Sequence, residues 1–210
     1  YLAEELGFHR GFSPWRRVSD LIMANEFGKL VMSEWSQPGR HFAYLHLLGP
    51  HSPLKPSPEA RARWELEDRW FEETRFGMDI GVAKRDREVG AREAYRRAYH
   101  ATIEDTDLII GAVLAALGEH RDDTLIVITS DHGELLGEHD VVGHGYWVWE
   151  GLTHVPLIVE GGPALPETLG IASVPGIITH GLGLETTWPT VDHQWVEGVP
   201  LSSQREGKLA

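Results

Sequence analysis

Residues Thr124 to Gly161 read TLIVITSDHGELLGEHDVVGHGYWVWEGLTHVPLIVEG, and the opening of this stretch decides the fold class. Thr124 to Thr129 is β-branched and almost wholly apolar, the composition of a central strand covered on both faces. Immediately upstream, Tyr95, Tyr99, Ile103, Ile110, Val113 and Leu117 recur at helical spacings within Glu88 to Leu117, which predicts an amphipathic helix packed on a sheet. Gly118 is the expected stop of that helix. A helix followed by a central strand is the alternation of an α/β fold. Val155 to Glu160, closed by Gly161-Gly162-Pro163, reads as a further strand, and His41 to Leu48 (HFAYLHLL), closed by Gly49-Pro50, as a buried parallel one. Between them the prolines from Pro53 to Pro58 argue against regular structure, and Ala60 to Phe76 reads as a charged, aromatic surface helix. Tyr1 to Arg17 is expected to be a loop-rich edge. Ile171 to Ile178 reads as a strand interrupted by Pro175, and Trp188 to Pro200 as irregular. No internal repeat, low-complexity tract or linker divides the chain.

In open parallel sheets ligand sites gather at the carboxyl ends of strands, and Ser130-Asp131-His132-Gly133 stands there. Asp supplies a hard anionic oxygen and His a nitrogen, a pair that suits calcium, manganese or zinc, while Gly133 permits a tight turn. On the tripeptide alone, a strand-ending turn with a capping Asp is an equally open reading.

Composition narrows the classes. The 210-residue chain can bury a sizeable core. It has 41% apolar residues and a mean hydropathy of −0.26, without an apolar run approaching the roughly 20 residues that span a bilayer. A net charge of −13 repels a phosphate backbone, so neither nucleic acid nor a membrane is an expected partner. Four lysines (Lys29, Lys55, Lys84, Lys208) stand against fifteen arginines, a bias that fits either a salt-adapted or high-GC source or an ordinary acidic protein. There is no cysteine, which excludes disulfides and thiolate ligands within the stretch, whereas the 12 histidines give it coordination chemistry of another kind. The chain is expected on this composition to be soluble. It starts at Tyr1 without a basic segment, an apolar leader or Met, so either a leader is absent or upstream sequence has been removed; its location is not readable from such a start, a cytoplasmic one being favoured only for want of a visible leader.

The order of these elements carries a resemblance. A strand, SDHGE, LGEH at Leu136 to His139, GH at Gly143-His144 and VPLIV at Val155 to Val159 together are similar to the sulfatase family of the alkaline phosphatase superfamily. Upstream, GPHSPL at Gly49 to Leu54 resembles that family's PHxPY element. YHATIEDTDLIIGAVL at Tyr99 to Leu114 resembles its YxASIxxxDxxIGxLL helix, and GFHRGF at Gly7 to Phe12 its GFDxGF. Residues beyond Gly162 match poorly.

The resemblance implies an alkaline phosphatase-like three-layer α/β sandwich with a mixed, largely parallel sheet. Residues 1–163 would belong to that partial domain, and 164–210 to a C-terminal region or small subdomain. It implies that Asp131 and His132 ligate a divalent metal, Ca2+ foremost with Mn2+ or Zn2+ open. His51 and His144 would be catalytic and substrate-binding. His51 would hydrogen-bond or protonate the leaving-group oxygen, and His144 stands where the family usually has a lysine on the sulfuryl oxygens. That exchange leaves phosphodiesterase, phosphonate hydrolase or phosphomonoesterase chemistry open, and a degraded, non-catalytic relative is the third reading. His154 replaces the family's arginine. His139 and Glu134 are expected to be structural, Glu134 behind the metal site, and Asp107 to be a buried structural carboxylate. The aromatic run Tyr146, Trp147, Trp149 is expected in a core or pocket wall.

The family's nucleophile, a formylglycine made from the Cys or Ser of a CxPSR-like motif, has no counterpart here, nor has its N-terminal aspartate pair. Both are expected upstream, in the missing N-terminal part of a longer enzyme. The isolated stretch is then expected to bind metal weakly and to be inactive. Its substrate would be a small sulfate or phosphate ester. Oligomeric state is not readable.

Overall fold

The computed structural model describes residues 7, 9–12, 24–72, 90–145, 147–165 and 169–185. Tyr146, the stretch 73–89 and the segment Trp188 to Pro200 lie outside them, as does most of Tyr1 to Arg17. Helix α1 is Ala24–Trp35, α2 Pro58–Arg63, α3 Arg69–Glu72 and α4 Ala91–Leu117. Strand β1 (Ile126–Thr129) follows, then β2 (Leu135–Leu136), β3 (Val142–Gly143), the short helix α5 (Glu150–Thr153), β4 (Leu157–Glu160) and α6 (Val174–Gly181). No helix among the described residues is long and apolar enough to cross a membrane.

The longest element organises the rest. α4 is rich in alanine, the best helix former, carries Glu93 in its first turn where the dipole favours an anion, and ends at Gly118 with φ 52°. Its buried stripe is Ala91, Ala94, Tyr95, Ala98, Ala101 and Thr102, continuing to Val113 and Leu117. Small side chains there let neighbours approach closely. α1 crosses the far end of α4 at Gly28, where a Cβ would stand 2.8 Å from the Ala112 carbonyl oxygen, so only glycine fits without a shift. Leu54, Trp70 and Val142 close over the near end of α4 to complete a core with Ala91, Ala94, Tyr95 and Ala98. Burial of a side chain such as Leu54 contributes about 1.5–3 kcal/mol.

The loop that carries His51 is tied down beside this core. Asp105 on α4 accepts from the Ser57 backbone N–H (2.6 Å) and hydroxyl (2.7 Å), and the Ser57 hydroxyl caps α2 through Ala60 N. Glu104 takes the Trp64 indole N–H at 2.7 Å and Arg63 Nε at 2.6 Å just past the end of α2. The carboxylate expected to be buried was Asp107. It is exposed, because its place on α4 lies off the Ala91–Thr102 stripe, and Asp105 does the tying instead.

Several expected elements differ. β1 pairs antiparallel with β4, Ile126 opposite Glu160 and Thr129 opposite Leu157, and β2 pairs antiparallel with β3. Among the described residues these two ladders are the sheets, so their pairing is not the parallel one the apolar runs predict. His41 to Leu48 joins no ladder among the described residues; Phe42 and Tyr44 are 58% and 57% exposed, since a strand needs a partner edge as well as apolar side chains. The helix expected over Ala60 to Phe76 breaks after Arg63, where Glu65 has φ 49°. Its start is Pro58, for proline is tolerated in a first helical turn. The same rule corrects Ile171 to Ile178: Pro175 sits in the first turn of α6, preceded by a 3-10 turn over Ile171–Ser173, so the segment is helical.

Candidate metal and ester site

The turn after β1 is shaped by main-chain contact. The Gly133 N–H donates to the Leu152 carbonyl at 2.8 Å, and a Cβ on Gly133 would fall 2.1 Å from the Gly151 carbonyl oxygen. Gly133 is thus required for the close approach of two backbones, which is how it permits the turn expected there. This contact pins Asp131-His132 against α5. The Asp131 carboxylate accepts from the His132 backbone N–H at 3.0 Å, and its Oδ1 lies 3.8 Å from His132 Nε2 with the side chain 76% exposed.

Three histidines from three segments converge here. His132 and His144 have ring centroids 4.2 Å apart, His51 and His144 5.0 Å, and His51 and His132 6.2 Å. One nitrogen of each lies within 4.8 Å of one nitrogen of both others. All three residues are half-buried. His51 therefore lies beside the strand-end residues although 80 positions of chain separate it from Asp131 (131 − 51 = 80).

A carboxylate supports the cluster from below. Glu134, whose side chain is 3% exposed, accepts from the Tyr95 hydroxyl on α4 at 2.7 Å through Oε1 and holds His144 Nδ1 at 2.7 Å through Oε2. A carboxylate this buried must have partners, and these two supply them. The same charge, together with burial as the larger cause, raises the Tyr99 hydroxyl above its ordinary pKa. The sequence pattern assigns Tyr95 and Tyr99 only to the helix's apolar face. The bond from Tyr95 to Glu134 has no signature in that pattern beyond a tyrosine set among the small residues Ala91, Ala94, Ala98 and Ala101.

The remaining candidates stand apart. His139 has φ 55° and stacks on Trp149 at 4.1 Å, and Trp149 stacks in turn on Trp147 at 5.2 Å. His154 is exposed, 3.7 Å from Glu150 across one turn. The donor set fits a divalent cation in kind: imidazole nitrogens converge beside a carboxylate, all on elements anchored to α4 or α5.

The sulfatase family model matches residues 5–180. The chain belongs to the sulfatase family. Among curated sulfatases, the choline-sulfatase of Rhizobium meliloti (strain 1021) is 36% identical over 118 residues, 50% of this chain and 21% of that protein. Arylsulfatase K of Bos taurus is 31% identical over 114 residues, 53% of this chain and 19% of its own length. The arylsulfatase of Clostridium perfringens (strain 13 / Type A) is 29% identical over 130 residues, 56% of this chain and 27% of its own. The matches thus span about a fifth to a quarter of these relatives. No solved structure matches the chain. Sulfatase membership carries with it an alkaline phosphatase-like α/β fold, of which the helices and the two small ladders described above are the visible part.

Proposed function

We propose that this chain is part of a metal-dependent sulfuric ester hydrolase acting on a small-molecule sulfate ester, and that it carries the leaving-group side of the active site. Family membership supports the reaction class, and the convergence of His51, His132 and His144 at the end of β1 supports the assignment of residues. Asp131 and His132 would hold a divalent ion, whose chemistry is to neutralise charge on the ester oxygens.

The chain's own groups do the rest. His51 Nδ1 donates to the Ser52 carbonyl at 2.5 Å, which fixes the ring, and in the cationic form of the ring its other nitrogen, Nε2, gives a proton to the departing oxygen. His144 takes the position of the family's lysine and, in its cationic form, offers Nε2–H to the sulfuryl oxygens. Glu134 keeps that ring in place, held in turn by Tyr95. The α/β sandwich with a largely parallel sheet, the division near residue 163 and a formylglycine nucleophile outside this stretch are parts of the same reading.

The test is an assay of the complete encoded protein on 4-nitrophenyl sulfate and 4-nitrophenyl phosphate, with and without a chelator. Chelator-sensitive hydrolysis of the sulfate is expected, with the His51→Ala variant slower by about 10²–10⁴-fold. Preference for the phosphate would move the enzyme to a phosphoesterase, and full activity of the His51→Ala variant would remove that residue from the reaction.

A further inference from the structure

The three histidines share a feature that neither an ester site nor a hard-cation site requires. In each ring an oxygen that can only accept stands at Nδ1: the Ser52 carbonyl at 2.5 Å from His51, the Gly133 carbonyl at 2.9 Å from His132 and the Glu134 carboxylate at 2.7 Å from His144. Carbonyls and carboxylates accept, so each Nδ1 carries the hydrogen and each neutral ring presents its lone pair at Nε2. A histidine that ligates through one nitrogen while donating from the other to a carbonyl or carboxylate is the standing pattern of protein metal centres, since the second bond fixes both tautomer and ring direction. Here that pattern recurs in all three members of one cluster, in which one ring nitrogen of each histidine lies within 4.8 Å of one ring nitrogen of both others.

Donor chemistry separates the kind of ion. Calcium takes six to eight oxygens, and three imidazoles offer none. Imidazole suits zinc, cobalt, nickel and copper, and three histidines with one open position make a tetrahedral zinc set. In such a set the nitrogens stand about 3.3–3.5 Å apart, so rings whose nitrogens here lie within 4.8 Å of one another would close on the ion by at most about 1.5 Å.

We propose that His51, His132 and His144 form a three-nitrogen site for a borderline first-row divalent ion, with Zn2+ as its reference occupant, and that filling it withholds the site from the ester. The competition with ester rests on the functional reading above; the ion site itself does not. An ion bound by all three rings occupies the lone pair of His51 and His144 and takes His132 from any cation it shares with Asp131. Zn2+ then acts as a competitive inhibitor, and the cation that serves hydrolysis is of a harder class. Glu134 is a positioning residue for this ion: of the three histidines it holds His144, and its other oxygen accepts from Tyr95.

The probe is Co2+, titrated into the metal-stripped complete protein and followed by its visible ligand-field absorption, which reports tetrahedral nitrogen ligation without any turnover. One equivalent of a tetrahedral band is expected, removed by Zn2+ and not by a large excess of Ca2+. His51→Ala and His144→Ala should each weaken Co2+ binding by about 10–100-fold or more, Glu134→Gln by about 10-fold, and Asp131→Ala by less than about threefold. Unfolding of each variant is followed by circular dichroism, so that a collapsed variant is replaced by His51→Gln or His144→Gln. Absence of the band in the wild-type protein, or a band that survives both histidine substitutions, overturns the site. With 4-nitrophenyl sulfate, Zn2+ should raise KM and leave kcat unchanged. A Co2+ band in a protein that hydrolyses no sulfate ester would sink the functional reading and leave the ion site standing, while sulfate hydrolysis without a band would do the reverse.

Discussion

The two halves of α4, AREAYRRAYHAT and IEDTDLIIGAVLAAL, differ in composition and in what they hold. From Ala91 to Thr102 the helix is buried under Leu54, Trp70 and Val142, and Tyr95 reaches from it to the carboxylate that holds His144. From Ile103 onward Ile103 is 42% and Leu108 53% exposed, and the helix rests on α1 at Gly28. Burial is concentrated where a polar group must be held to a fixed position. The second half rests on α1, holds Ser57 and Trp64 through Asp105 and Glu104, and buries Val113 and Leu117, while Ile103 and Leu108 face outward. What differs between the halves is therefore how far a change in side chain propagates to the histidines.

Substitutions along this gradient can break the comparison. The largest effect belongs to the turn that the near half supports: Gly133→Ala drives a methyl into the Gly151 carbonyl and should cost about 3 kcal/mol in urea unfolding, with loss of activity. Glu134→Ala comes next. It strips Tyr95 and His144 of their shared acceptor, and about 2 kcal/mol of stability with about 10–100-fold in activity should go with it. Tyr95→Phe removes one of the two bonds to Glu134 and should cost about 1 kcal/mol while leaving the His144 contact.

A smaller effect is confined to alkaline pH. The Tyr99 hydroxyl, its pKa raised by burial and by Glu134, favours the fold while it stays protonated. Its contribution is fully present below the ordinary tyrosine value of 10.0 and is lost as pH rises through the higher folded value, so Tyr99→Phe should flatten the fall in stability above about pH 10. On the far half, Leu108→Ser should change stability by less than about 0.5 kcal/mol. A far-half substitution as costly as Glu134→Ala would erase the distinction between the halves.

How much could be read in advance follows physical lines. α4, its stop at Gly118, β1 and β4 were legible because each has a local signature in period or in β-branched composition. The strand expected at His41 to Leu48 was not decided locally, for an apolar run becomes a strand only beside a second edge. The antiparallel pairing of β1 with β4 is likewise a property of the partner, not of the run. Pro58 and Pro175 were read as breaks and are helix starts, because proline's meaning depends on which side the helix lies. At the site, the sequence singles out Asp131 and His132 by their place after a strand and His51 and His144 by the family resemblance, and what the structure adds is that the three histidines lie together. Their convergence with one common tautomer was not legible, since it depends on carbonyls of Ser52 and Gly133 that every residue possesses.

The bond from Tyr95 to Glu134 has a consequence beyond holding a ring. It makes the angle of one imidazole a gauge of where a 27-residue helix sits, as a needle reads the turn of a shaft. The hydroxyl rides on the helix and the imidazole on a loop, and one rigid carboxylate joins them. A small rotation of the helix would therefore register as a change in where the His144 lone pair points, before any other part of the pocket had moved.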